Sequence, residues 1–193
     1  MQITFLNQKG GVGKTTVSIL LGGTLAGAGY AVAFDDRDEQ GSLTWWARGV
    51  GMMPLLAESK GHHVVICDTP GRLDLLQNAG RDFLQPIIAA SDRVVIVTEK
   101  SSFSLQATRP TLVFAKSQLK PGAKLLVLFN KVRAATKVGR LDLRQSADLV
   151  GADVLETVLP LAAPYENVQT EGMAAVTGHH RELALRLALE ILK

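Results

Sequence analysis

One stretch of eight residues constrains this chain more than any other: Lys9-Gly10-Gly11-Val12-Gly13-Lys14-Thr15-Thr16. An apolar run, Ile3 to Asn7, leads into it, and a long apolar helical pattern, Thr15 to Ala28, leads out. Glycines there let backbone N–H groups surround phosphate oxygens, and the N-terminus of the following helix adds partial positive charge. Lys14 has the length to reach terminal phosphates, and Thr15 carries a hydroxyl suited to magnesium. The stretch lacks the first glycine of the common G-x-x-x-x-G-K-[ST] loop but keeps Gly13-Lys14-Thr15 in the required strand-to-helix setting. A merely solvated glycine turn would need neither that spacing nor the hydroxyl pair Thr15-Thr16. Gly10, Gly11, Val12 and Gly13 form the predicted cradle.

Short β-branched runs alternate with longer helical patterns along the rest of the chain. The expected strands are Ile3 to Asn7, Ala31 to Asp36, His63 to Asp68, Arg93 to Thr98, Leu125 to Asn130 and Asp153 to Leu159. Most are continuously apolar, such as Val64-Val65-Ile66 and Val94-Val95-Ile96-Val97, which suits strands covered on both faces. The expected helices are Thr15 to Ala28, Ser42 to Gly49, Leu73 to Ala89, Ser104 to Leu119, Arg140 to Val150 and His180 to Leu192. This order predicts parallel strands joined by right-handed crossovers, hence a doubly wound α/β fold with a mainly parallel sheet flanked by helices, of P-loop NTPase type. Ligands of such sheets lie beyond the carboxyl ends of the strands.

Composition narrows the alternatives. With 193 residues, 47% of them hydrophobic, the chain can bury a real core, and a single domain over residues 1–193 is expected. The lone cysteine, Cys67, excludes an intrachain disulfide and suits a reducing compartment; strand alternation turns it away from Asp68. Thr15 to Phe34 is nearly uncharged and long enough to span a bilayer, but Gly22, Gly23, Gly27 and Gly29 interrupt it and Tyr30 to Phe34 reads as a separate strand. No secretory signal is expected, because Lys9 and Lys14 precede the apolar run. A cytoplasmic protein follows.

A lysine immediately before Gly-Gly-x-Gly-Lys-Thr resembles the deviant Walker A box of the ParA/MinD family of ATPases. In that family the lysine at the position of Lys9 reaches across a dimer interface to the partner's nucleotide. The resemblance extends over most of the chain and is strongest to the short ParA-type partition ATPases, which lack an N-terminal helix-turn-helix domain; none is expected before Met1-Gln2-Ile3.

Three carboxylates follow from the same resemblance. Asp36-Arg37-Asp38-Glu39-Gln40-Gly41-Ser42 is similar to the family's D-x-D-P-Q-G-S segment, with Glu39 in place of the proline. By this match Asp38 orients the attacking water and Asp36 belongs to the metal region, roles that carboxylates beside a γ-phosphate can fill. Val64 to Asp68 looks like a Walker B strand, which implies that Asp68 holds Mg²⁺ through water and that Gly71 begins a nucleotide-sensing loop. Asn130, ending the fifth strand, and Pro160, after the sixth, match family positions that bind and frame the base. Asn130-Lys131-Val132-Arg133 lacks the carboxylate that guanine recognition would use, so adenine is favoured, and Ala162 stands where ParA proteins often carry Asn.

The formal charge of +3 names no partner by itself, but its distribution is uneven. Lys116, Lys120, Lys124, Lys131, Arg133, Lys137, Arg140 and Arg144 face only Asp142 in one stretch, a net of +7 that leaves −4 elsewhere. The one aromatic residue in the stretch, Phe129, falls within an expected strand rather than between basic residues of a loop, so the pattern favours nonspecific contact with duplex phosphates. Lys137, Arg140 and Arg144 are the expected DNA-binding residues, since they fall where ParA-type proteins bind nonspecific DNA.

The C-terminal helical pattern balances Arg181 and Arg186 with Glu182 and Glu190 and offers no Trp or Phe to a headgroup layer, so packing within the fold is expected rather than membrane anchoring. Trp45 and Trp46 read as helix packing or dimer contacts. His62-His63 and His179-His180 lack the spacing of a zinc site.

The resemblance therefore implies an ATPase using ATP and Mg²⁺, forming an ATP-sandwich homodimer through Lys9 and binding DNA nonspecifically in that state, nucleoid-associated when ATP-bound. Slow hydrolysis, stimulated by a ParB-like or other adaptor, would release it and move a plasmid, chromosome or other cargo. With no appended specificity domain expected, cargo choice would come from that adaptor. The alternatives are a MinD-like membrane-positioning ATPase and a small-molecule enzyme on the same scaffold, similar to dethiobiotin synthetase or the nitrogenase iron protein. The latter needs two cluster cysteines per subunit, and Cys67 stands alone.

Overall fold

The computed structural model describes residues 1–193 apart from the side chains of Arg144 and Leu149. Five strands form its sheet: β1 Gln2–Leu6, β2 Val32–Asp36, β3 Val64–Asp68, β4 Arg93–Glu99 and β5 Lys124–Asn130. Their order is β2-β3-β1-β4-β5 and every pairing is parallel. Strands β2 and β3 lie on one side of the central β1 and β4 and β5 on the other, so the switch point lies at its carboxyl end.

Helices α1 Lys14–Gly27, α2 Ser42–Trp46, α3 Asn78–Ala90, α4 Ser102–Gln118, α5 Leu143–Val150, α6 Ala163–Glu171 and α7 Gly178–Leu192 cover both faces. Alternating strand residues feed two apolar layers. Phe5, Phe34, Ile66, Val95 and Leu128 pack with α1, α2, α6 and α7. Leu6, Val94, Ile96, Val127 and Phe129 pack with α3, α4 and α5. The uncharged run Thr15 to Phe34 thus divides between α1 and β2, and no described helix is long and apolar enough to cross a membrane. Helix α7 buries Ala184, Leu187, Ala188 and Ile191 in the layer shared with α1.

The expected sixth strand is not one. Residues 153–159 follow the β5 edge and make isolated bridges at Val127–Val154 and Val132–Pro160. Leu155 N donates to Val127 O and Leu159 N to Phe129 O, so the segment advances four residues while β5 advances two. The residues between bulge out, and the Glu190 carboxylate of α7 accepts from the N–H groups of Glu156 and Thr157 (2.8 and 3.0 Å) in place of a ladder.

The helices also depart from expectation, beginning with α2, which ends at Trp46 and passes into a π-helical turn, Ala47–Gly51, instead of running to Gly49. Leu73 to Gln77 is a turn rather than helix, because the Asp74 carboxylate accepts from Leu76 N (2.9 Å) and Gln77 Nε2 (3.1 Å). Arg140 to Val150 splits into a short 3₁₀ turn, Val138–Arg140, and α5, whose start is fixed by Asp142 capping Gln145 N at 2.7 Å. Helix α6 was not expected; Pro164 in its first turn is the sequence signal for it. Trp46 is buried, donating from Nε1 to Val168 O (2.8 Å), whereas Trp45 is exposed.

The amino edge of the sheet carries both chain ends. The Met1 ammonium donates to His63 O and Lys124 Nζ to Lys193 O.

Candidate functional site

The phosphate loop leaves the carboxyl end of β1 and closes on the first turn of α1. Asn7 steadies its start: Nδ2 donates to Val97 O (2.8 Å) and Thr108 Oγ1 (3.1 Å), while Oδ1 accepts from Lys9 N (3.0 Å). Gly13 sits at φ 91°, and a Cβ there would collide with Asn130 Nδ2, so only glycine serves at this position. Asn130 Nδ2 donates to Val12 O (2.8 Å) and Lys131 Nζ to Gly11 O (2.8 Å). The residue expected at the base thus braces the phosphate loop from the end of β5, with Pro160 nearby beside Val132.

Sheet register places the carboxylates. Asp36 of β2 pairs with Asp68 of β3, and Phe5 of β1 also lies against Asp68. Asp68 is 1% exposed; its Oδ2 accepts from Thr15 Oγ1 (2.6 Å) and its Oδ1 from Ser18 Oγ (3.2 Å). Burial pushes its carboxyl up to about 6, against the opposing pull of the Thr15 hydrogen bond and Lys14. Lys14 is buried, which lowers its ammonium, while Asp68 and Asp38 pull the other way. Asp36 is committed locally: Oδ1 accepts from Asp38 N (3.2 Å) and Oδ2 from Thr44 N (2.7 Å), tying the acidic loop to the first turn of α2. Asp38 is half-buried and holds Gln40 N at 3.1 Å.

These elements enclose an open cleft of about 1080 Å³. Gly10, Gly11, Gly13, Lys14, Thr15 and Thr16 form one wall, Asp38 and Glu39 a second, and the loop Pro70 to Asp74 with Phe83 a third. Gly71 is confined by this closure: a Cβ there would stand 3.1 Å from both Lys14 Nζ and Gly10 Cα.

Lys9 points elsewhere. Its Nζ pairs with Glu99 Oε2 at 3.1 Å and donates to Ser104 Oγ at 2.8 Å, and it does not line the cleft. Burial alone would raise Glu99, but the hydrogen bond and charge of Lys9 outweigh it and hold the carboxyl below its usual range.

The basic stretch does not form one face. Lys120 and Lys124 lie before β5 and at its start, where Lys120 pairs with Asp92 at 2.7 Å. Lys131, Arg133, Lys137 and Arg140 follow its carboxyl end, a separation of roughly 20 Å for a strand of this length. Lys137 and Arg133 are exposed, whereas the Arg140 guanidinium donates to Ala134 O (3.2 Å) and Ala135 O (2.8 Å), stiffening its own loop. The side chain of Arg144 lies outside the described residues. Lys100, not anticipated from sequence, is 8% exposed and donates to Gly139 O and Leu141 O, tying the basic loop to the end of β4.

Thr15 and Asp68 offer hard oxygen donors, and no group of three or more His, Cys, Asp or Glu able to hold a metal occurs among the described residues. Such a sparse set fits a magnesium ion that takes most of its ligands from phosphate and water.

Residues 3–175 match the model of the CobQ/CobB/MinD/ParA nucleotide binding domain. A maintenance of carboxysome distribution protein A from Gloeobacter kilaueensis is 28% identical over 186 residues, spanning 89% of this chain and 82% of that protein. Among solved structures, MinD of Pyrococcus horikoshii complexed with Mg-ADP has a TM-score of 0.73 at 17% identity, over 100% of this chain and 96% of that one. A putative plasmid partition protein of Borrelia burgdorferi bound to AMPPNP has a TM-score of 0.68 at 16% identity, over 99% and 97%. At these identities the structural likenesses establish the fold.

Proposed function

This chain belongs to the CobQ/CobB/MinD/ParA nucleotide-binding family, and from that premise we propose that it is a ParA-like ATPase that positions cargo by cycling between monomer and ATP-bound dimer. The observation that carries the reading is the division of labour between two lysines of one loop. Lys14 is buried at the cleft beside Asp68 and Asp38, whereas Lys9 is held outside the cleft by Glu99. A cation so placed serves its own nucleotide poorly and suits the nucleotide of a second copy.

In this reading ATP is the substrate. Loop N–H groups and Lys14 hold its phosphates, Thr15 and Asp68 hold Mg²⁺, and Asp38 orients the attacking water. A magnesium ion held there would offset the negative charge of the terminal phosphates. Asp36 acts by fixing the loop that carries Asp38. The base lies between Asn130 and Pro160. The γ-phosphate supplies contacts that only the dimer completes, so its loss removes the bias toward that state.

The dimer binds DNA without sequence preference through the loop after β5, chiefly Arg133 and Lys137, with Arg140 shaping the loop and Arg144 completing the basic set. The protein works as a single cytoplasmic domain, over the nucleoid when ATP-bound, and a ParB-like or other adaptor stimulates hydrolysis and selects the cargo.

The test is sedimentation with duplex DNA and with anionic liposomes, under ADP, ATP and a nonhydrolysable analogue. DNA cosedimentation and a dimer only with ATP or the analogue are expected. ATP-independent or absent DNA binding, or ATP-dependent liposome binding in its place, would overturn the DNA-carrier reading. Lys14→Ala should lose nucleotide binding, and Asp38→Ala should bind ATP yet hydrolyse it at least tenfold more slowly, as expected on losing a general catalyst.

A further inference from the structure

Four cationic side chains line the cleft among the described residues: Lys14, Arg37, Arg72 and Lys131. Two are committed: Arg37 pairs with Asp35 at 2.8 Å, and Lys131 donates to Gly11 O. Lys14, which is buried, already has its place in the phosphate loop. Arg72 is exposed and hydrogen-bonds to no acceptor among the described residues. Asp74, the lining acid two positions along the chain, has both carboxylate oxygens engaged by Leu76 N and Gln77 Nε2.

The backbone aims Arg72 at the phosphate end of the cleft. Its neighbour Gly71 lies so close to the phosphate loop that a Cβ there would stand 3.1 Å from Lys14 Nζ. The Arg72 side chain then crosses Gly10, its Cγ and Nε each 4.0 Å from where a Gly10 Cβ would be. A guanidinium with no competing acceptor, lying over the loop that holds the terminal phosphates, presents a fork matched to phosphate oxygens.

We propose that Arg72 is a catalytic residue of ATP hydrolysis, contacting the γ-phosphate of the nucleotide bound to its own chain. This rests on the ATPase reading above and adds a residue to that site. In the reaction the water oxygen bonds to the γ-phosphorus while the bond from that phosphorus to the β,γ-bridging oxygen breaks. The bond pair leaves on ADP, and one water proton passes to solvent. Negative charge grows on the bridging oxygen as this happens, and a guanidinium forked across it and a γ-oxygen is bound more tightly in the transition state than in the ground state. Lys14 cannot duplicate this geometry, because an ammonium is a point charge.

Single-turnover hydrolysis of ATP, nucleotide affinities and binding of ADP with aluminium fluoride are to be measured for the native chain, Arg72→Ala and Arg72→Lys. Arg72→Ala should lower the hydrolysis rate roughly tenfold or more and weaken the ADP–aluminium fluoride complex in parallel, with the ADP dissociation constant changed less than about threefold. Arg72→Lys should recover only part of the rate and, keeping the charge and aliphatic stem, guards against an Ala variant that fails to fold. A rate within twofold of native in either Arg72→Ala or Arg72→Lys, or equal losses of ADP and transition-state-analogue affinity, would overturn the assignment. Failure of the native chain to bind ATP would instead remove the ATPase reading and this inference with it; native hydrolysis that survives Arg72→Ala removes the inference alone.

Discussion

At the scale of single residues, the site depends on side chains that hold backbone as much as on those that meet a nucleotide. Asn130 ends β5 in a buried position and gives its amide to the carbonyl of Val12. Replacing it with Ala leaves that carbonyl without a donor, a loss of about 1–3 kcal/mol. Asn130→Ala should therefore lower the urea midpoint and weaken nucleotide binding together, whereas a residue contacting only the base would move affinity alone. Asn130→Asp should be worse than Asn130→Ala, since a carboxylate would face a carbonyl at 2.8 Å. The glycine-lysine-threonine core was legible in the sequence because its chemistry is local. The partners of Lys9 were not, since Glu99 and Ser104 lie 90 and 95 positions away and only the β1–β4 pairing brings them together.

At the scale of elements, strands continuously apolar and flanked by strong turn signals were legible, and the five of the sheet lie within a residue or so of expectation. Residues 153–159 show where such reading stops. Val154, Leu155 and Leu159 have strand character, but the Glu190 carboxylate on a distant helix offers their neighbours a competing acceptor. Glu190→Ala should lower stability by about 1–2 kcal/mol in urea unfolding, from two backbone donors stripped of their acceptor. It should leave α7 helical by circular dichroism. A second element-level test concerns the amino edge, where the Lys120 hydrogen bond and then Gln2 N depress the Asp92 carboxyl. A depressed acid contributes stability that is complete above its unfolded value and fades as pH falls through its folded one. Stability of the native chain should thus fall below about pH 4, its ordinary range, more steeply than that of Asp92→Asn. The effect should stay under about 1 kcal/mol because the pair is partly exposed.

At the scale of the whole molecule, a parallel sheet delivers every strand's carboxyl end to one rim, so the cleft and the loop after β5 lie on the same side. Net charge along the sequence concealed this, because the basic stretch crosses the sheet and leaves Lys120 and Lys124 on the opposite rim. If DNA is held by the near cluster alone, the dependence of log K on log salt should reflect those residues only. Lys137→Ala in a dimer should flatten the slope by about 2, one phosphate contact per copy. Lys124→Ala should leave it unchanged, as read from fluorescence anisotropy titrations across salt. The opposite rim has a separate use. Because Met1 and Lys193 both emerge there, a fluorophore, bead or surface linker attached at either terminus would leave the working rim facing solution. Single molecules could then be watched binding and releasing without their handle interfering.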